Sequence, residues 1–242
     1  MNSDTLFSAK DLYIISHNSR GRSFHTEKLP EKTKRKTIHE NMHLMMGMSF
    51  TCINSFPQLE AYTGPTDFSV VPFTDWKKAD GTGQAAHFFL DDFRFRDKVW
   101  CNLERTTQQL SKFDYVFTPD FSLWRDLPTE FPNKENIYRT RFVGRLWQLC
   151  GFNVIPTASW GGLNSFSYCF EGLPTNSVIA VSGMGNGKNA EAFRHWCYGL
   201  KRLEEAVSPT LIIVYGKQVE VQGLRTGLKF IPCFIENRLR LL

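Results

Sequence analysis

The sequence predicts an α/β fold: a mainly parallel sheet or partial barrel of βα units, with an irregular basic N-terminal extension. Three observations predict it. From residue 85 onward, short apolar runs alternate with segments of helical spacing. The runs are continuously apolar rather than alternating, the pattern of strands covered on both faces. Polar and glycine residues recur where the runs end, which is where parallel α/β folds gather their chemistry. An open sheet and a partial barrel fit this rhythm equally.

Taken in order, residues 1–47 hold eight Lys/Arg, five Asp/Glu and four of the six histidines, with a basic cluster from Lys32 to Lys36. Apolar periodicity is thin there until "HENMHLMMGMSF". Residues 1–80 therefore read as an irregular extension or appendage, either a solvated arm or a basic arm laid on a partner. Residues 81–242 read as the α/β domain. Its first run, "AAHFFLDDF", ends in carboxylates, and "LERTTQQLSKF" has helical spacing. "YVFTPDFS" is a second run. "NKENIYRTRFVGRLWQLCGF" reads as a helix with Ile137, Phe142, Leu146 and Leu149 near one face and Gly151 as its stop. "NVIPTASWGG" is a third run, "SFSYCFEGLP" a short helix or turn, and "SVIAVSGMG" a fourth run. "AEAFRHWCYGLKRLEEAV" is an amphipathic helix, followed by runs in "TLIIVYG" and "GLKFIPCF". Strands are expected to end near Leu90, Pro119, Ser159 and Ser182.

Bulk properties narrow the class. The 242 residues, 42% hydrophobic and 22% charged, suit one large domain or a domain with an appendage. No apolar stretch is long enough to span a bilayer, so no membrane partner is expected. The N-terminus lacks the basic and apolar regions of a secretory signal. No two of the six cysteines have C-x-x-C spacing, which disfavours zinc knuckles and suits reduced, mostly buried thiols in a cytoplasm, the host's if the protein is phage-encoded. A net charge of +5 permits nucleic-acid contact without requiring it.

The strand ends collect Asp91 and Asp92, then Asp120 and Ser122, Trp160, Ser182 with Gly183 and Gly185, and finally Tyr215. "SGMGNGK" resembles a phosphate loop, but a nucleotide-triphosphate loop needs G-x-x-x-x-G-K-[ST]. Ser182 stands where its first glycine belongs, and Asn189 replaces its Ser/Thr. A weaker anion loop using Ser182, Gly183, Gly185 and Lys188, and a plain glycine turn, both remain open.

Four stretches, "HFFLDDFRF", "TPDFSLWRDLP", "NIYRTRFVGRLWQLCGFNVIPTASWG" and "CFEGLPTNSVIAVSGMG", together resemble DUF4417, a phage, bacterial and archaeal family catalogued as a domain of unknown function. The likeness covers about residues 85–217. It implies a compact α/β domain carried on phages and other mobile elements, and no established activity.

Asp91, Asp92 and Asp120 are the candidate catalytic groups. Asp92 and Asp120 could also hold Mg2+, which takes carboxylate oxygens; the alternative is that they cap helices or pair with nearby arginines. Arg139 and Arg141 suit bidentate phosphate recognition or internal ion pairs. Trp160 could stack a base or ring, or simply pack. His195 sits in a helix, and His87 precedes an apolar run, at the end away from the crevice. The leading expectation is a protein acting on a nucleic acid or nucleotide, by metal-dependent phosphodiester hydrolysis in its most specific form. The rival is a non-catalytic protein that captures a host protein or a nucleotide.

Overall fold

The computed structural model describes residues 39–185 and 189–233, together with two short strands nearer the N-terminus. Those two, β1 (Ile14–Ser16) and β2 (Ser23–His25), pair antiparallel. Six strands follow with a long helical cover: β3 (Ser69–Pro72), β4 (Gln84–His87), β5 (Tyr115–Phe117), β6 (Asn153–Ile155), β7 (Thr157–Ala158) and β8 (Val178–Ser182). Two more, β9 (Leu211–Tyr215) and β10 (Leu228–Ile231), complete the set. They form two all-parallel sheets, ordered β3-β4-β5-β6 and β10-β9-β8-β7.

Pro156 is all that separates β6 from β7. It has no N–H to give a ladder, but its carbonyl accepts from Ala180 N at 2.8 Å. The next amide, Thr157 N, turns to the Thr118 hydroxyl at 2.8 Å. One extended segment thus leaves the first sheet and enters the second. Alternation then sorts the side chains. Ala85, Phe117, Ile155, Ala180 and Ile213 pack together in one interior cluster. Their neighbours Ala86, Val116 and Val154 face one outer cluster, while Ile179, Val181 and Ile212 face another. A sheet whose inner faces meet each other is a partial barrel. A side chain joins its edge strand β10 to the segment leading into β3, with Lys229 Nζ donating to Thr66 O at 2.7 Å.

Helices α1 (Arg96–Trp100), α2 (Leu103–Leu110) and α3 (Phe131–Leu149) cover the first outer face. Helix α4 (Ala190–Val207) covers the second through Trp196, Leu200 and Leu203. Gly151, in the left-handed region at φ +78°, follows α3 as expected of its stop. The expected boundary at residue 80 falls between β3 and β4, which are hydrogen-bonded neighbours, and Phe56, Leu59 and Tyr62 upstream are already buried in the core. All six cysteines are free; Cys150 and Cys169 alone among them are buried.

Candidate functional site

Beyond the C-terminal ends of the strands lies a cavity of about 940 Å³. Its lining includes Phe89, Leu90, Asp91 and Arg94 after β4, Asp120, Ser122 and Leu123 after β5, and Ser182 and Met184 at β8. Tyr215 at the end of β9 and Cys233 after β10 complete that rim, with Asp75 and Lys78 from the segment after β3. A smaller recess of about 230 Å³ shares Asp120, Ser122 and Ser182 and adds Arg125, Ser159, Trp160 and His195. Residues from six parallel strands converge on one rim, as the positions of Asp120, Ser122 and Ser182 in the sequence lead one to expect.

The segment carrying Asp120 is laced to α3 by a row of polar side chains. Thr140 Oγ1 donates to Pro119 O at 3.0 Å, and Asn136 Nδ2 donates to Ser122 O at 2.8 Å. Asn133 grips both backbone groups of Trp124, accepting its N–H at 2.9 Å and donating to its carbonyl at 2.8 Å. Positions 133, 136 and 140 lie on one helical stripe, which is why a single helix can hold an irregular segment so completely. Asp92 fastens the other side, accepting from Ser122 Oγ at 2.8 Å and Ser122 N at 3.1 Å. Arg96 lies 3.7 Å from the same carboxylate.

Burial, and then the nearby Asp92 charge, push the Asp120 carboxyl up to about 7, against a hydrogen bond from Ser159. Asp120 therefore changes charge near neutrality, the condition for a general acid or base. Asp91 points outward at the mouth, 3.5 Å from Arg94. Among the described residues no three His, Cys, Asp or Glu side chains form a group that could hold a metal.

Arg139 and Arg141 do not line either cavity. Arg139 donates to Glu135 at 2.7 Å and lies over the Trp100 ring. Arg141 is buried and donates to the carbonyls of Thr157, Cys169 and Glu171 at 2.9–3.1 Å. Trp160 lines the smaller recess with its ring pressed onto the Gly199 backbone of α4. In the glycine loop, Gly183 N–H completes the ladder to Tyr215 O at 2.8 Å, and Met184 N–H donates to Ser182 Oγ. Gly185 adopts φ +81°. Lys188 lies outside the described residues. Asn189 closes the start of α4 by accepting from Ala192 N at 2.7 Å.

His87 is a correction. It ends β4 instead of preceding a strand, so it faces the rim end of the barrel. Strand pairing uses Gln84 to His87, and the apolar pair Phe88-Phe89 forms the way out. The His87 ring tilts against Tyr215 at 4.5 Å and stacks near Phe89, beneath the cavity floor. Burial lowers its pKa to about 3, so it stays neutral. The sequence reading also missed Asn133, Asn136 and Thr140, whose 3-and-4 spacing was the available signal, and Lys78 and Arg94, which carry none.

Architecture and site together define an α/β protein with two four-stranded parallel sheets and a ligand-sized cavity at their C-terminal rim. The chain belongs to DUF4417, a domain of unknown function, whose family profile matches residues 49–229. That span opens well ahead of residue 85 and takes in β3. The chain is 38% identical over 162 residues to the Gene 1 protein of Mycobacterium phage L5, covering 63% of this chain and 69% of that one. It is 35% identical over 173 residues to the Gene 1 protein of Mycobacterium phage D29, covering 67% of this chain and 63% of that one. No solved structure matches it significantly. Among the described residues no helix is long and apolar enough to cross a membrane.

Proposed function

We propose that the rim cavity binds a phosphate-bearing ligand, a nucleotide or part of a nucleic acid, and that Asp120 moves a proton on it. The observation that carries this reading is a carboxyl titrating near 7 on the wall of a cavity of nucleotide size. Lys78 and Arg94 on the same wall are the cations a phosphate would meet. Among the described residues their carboxylate neighbours are the half-buried Asp75, 3.1 Å from the exposed Lys78, and the exposed Asp91, 3.5 Å from Arg94, and pairs this open to solvent are weak enough to be exchanged for a ligand. Asp92 adds to the burial that raises the proton affinity of Asp120, and it fixes Ser122 beside it. Where a Mg2+ ion is bound, Asp92 and Asp120 would supply its oxygens, and the ion would favour the ionised form of Asp120. Hydrolysis of a phosphodiester is the reaction this set would serve; capture without chemistry uses the same cavity and leaves Asp120 a spectator.

Calorimetric titration with inorganic phosphate, AMP and TMP tests binding, and incubation of a labelled oligonucleotide with Mg2+ tests cleavage. Lys78→Ala should weaken binding, while Asp120→Asn should preserve it and abolish turnover. Absence of binding by every phosphate-bearing probe, or binding indifferent to Lys78→Ala and Arg94→Ala, would overturn the reading.

A further inference from the structure

Two neighbouring loops at the cavity mouth carry the same pair of residues, an exposed aromatic followed by an arginine: Phe93-Arg94 after β4 and Trp124-Arg125 after β5. Phe93 is 80% exposed and Trp124 42% exposed, two large rings open to solvent on adjoining segments of one rim. The two loops are tied to each other, because Asp92, next to Phe93, accepts both hydrogen bonds from Ser122, two residues before Trp124. Trp124 sits on backbone held at both its N–H and its carbonyl by Asn133, so its ring is presented from a fixed base. The Arg94 guanidinium lies 5.2 Å from the Phe93 ring centre, and its partner Asp91 is itself largely exposed. Arg94 lines the large cavity and Arg125 the small one.

We propose that this mouth binds an unpaired nucleic-acid strand, whose bases stack on Phe93 and Trp124 while the phosphates between them meet Arg94 and Arg125. The inference rests on the phosphate-ligand reading of the cavity and deepens it, since the cavity would then hold one nucleotide and the mouth its neighbours. An exposed aromatic ring followed by an arginine, repeated on two linked segments, matches the base-and-phosphate repeat of a single strand. Bases inside a duplex have both faces covered and offer nothing to stack. Arginine in the same positions serves phosphate by its planar fork, and placed over an aromatic ring it keeps that fork at the stacking surface.

The test is fluorescence anisotropy with a labelled oligothymidylate of about ten nucleotides, the size range one such surface spans. A labelled duplex of equal length and unlabelled TMP serve as comparisons. The probes are applied to the full chain and to Phe93→Ala/Trp124→Ala and Arg125→Ala, with melting temperatures as the folding control. The single strand should bind at least about tenfold tighter than TMP, and the double variant should remove that advantage while leaving TMP affinity unchanged. Arg125→Ala should weaken the strand and flatten its salt dependence. Equal affinity for strand and TMP in the native protein sinks the inference and leaves the cavity reading standing. Duplex binding as tight as the strand, or strand binding untouched by loss of both rings, also sinks it. If neither TMP, phosphate nor strand binds, both readings fall, and the exposed rings belong to a protein partner.

Discussion

Replacing Asp120 by Asn removes the titrating proton while keeping the shape of the side chain, and the consequence for stability has a definite sign. The Asp120 carboxyl is raised from 3.8 to about 7 in the folded protein. In the unfolded chain it loses its proton as pH passes its ordinary value, whereas the folded protein holds the proton until near neutrality. Stability contributed by this group is therefore greatest in acid, falls as pH rises between those two values, and levels off above the higher one. Between about pH 5 and pH 8 the difference in bound protons integrates to about 2–3 kcal/mol, an upper bound because Asp120 is partly open to solvent at the cavity wall. Denaturant unfolding of wild type and Asp120→Asn at several pH values measures it directly. The variant should lose less stability on going from acid to mild alkali, by roughly 1–3 kcal/mol, so that the difference between the two proteins shifts in its favour as pH rises. Asp92→Asn removes the second cause of the shift and should move the same transition toward lower pH. Parallel stability curves for wild type and Asp120→Asn would refute the reasoning, because they would mean that Asp120 ionises at an ordinary pH and that neither burial nor Asp92 acts on it.

Four further outcomes are expected. Mg2+ should raise the melting temperature at mildly alkaline pH, where Asp120 is ionised, and the rise should vanish in Asp92→Asn; a shift unaffected by that substitution places any ion elsewhere. Asn133→Ala leaves the Trp124 N–H and carbonyl without their partner and should cost about 1–3 kcal/mol in chemical denaturation while weakening ligand affinity. Gly199→Ala should destabilise by about 1–3 kcal/mol, since its new Cβ would fall 2.0 Å from the Trp160 ring; an unchanged melting temperature would show that Trp160 is not packed there. If the glycine loop holds an anion, Gly185→Val should abolish that binding because Val resists φ +81°, whereas Lys188→Ala should weaken it by roughly 1 kcal/mol or less; the reverse order in a phosphate titration would restore the triphosphate-loop reading, and no effect of either would make the loop a plain glycine turn.

Much of the scaffold was legible because burial on both faces writes itself as uninterrupted apolar runs. "SVIAVS" and "LIIVY" became β8 and β9, and the amphipathic stretch from Ala190 to Val207 became α4 with those bounds. Strand β3 escaped because it is four residues long, ends in proline and follows a segment rich in turn residues. His87 was misplaced because Phe88 and Phe89 look more strand-like than Ala85 and Ala86, although a small residue such as Ala85 suits the crowded barrel interior better. Of the candidate site residues, Asp120, Ser122 and Ser182 gathered at the cavity because strand ends of a parallel sheet share one side. Arg139 and Arg141 stayed in the interior, for a reason no spacing encodes: three backbone carbonyls left over where β7 and the following turn approach α3 are satisfied by the Arg141 guanidinium.

The buried polar row on α3 explains why the rim holds a raised carboxyl at all. A flexible segment would carry Asp120 away from Asp92 and into water, and the repulsion between the two would disappear along with the shift. Thr140, Asn136 and Asn133 forbid that by holding Pro119, Ser122 and Trp124 at three successive points. Asp92 is held in turn by the hydroxyl and amide of Ser122, so neither carboxylate can turn aside without breaking hydrogen bonds in a partly buried place. The repulsion between the two carboxylates is relieved by the proton that Asp120 keeps up to near neutrality. Fixing the same segment also presents the Trp124 ring at the mouth. One helix stripe of three polar residues thus sets both the proton affinity inside the cavity and the stacking surface outside it, and Asn133→Ala should disturb the two together.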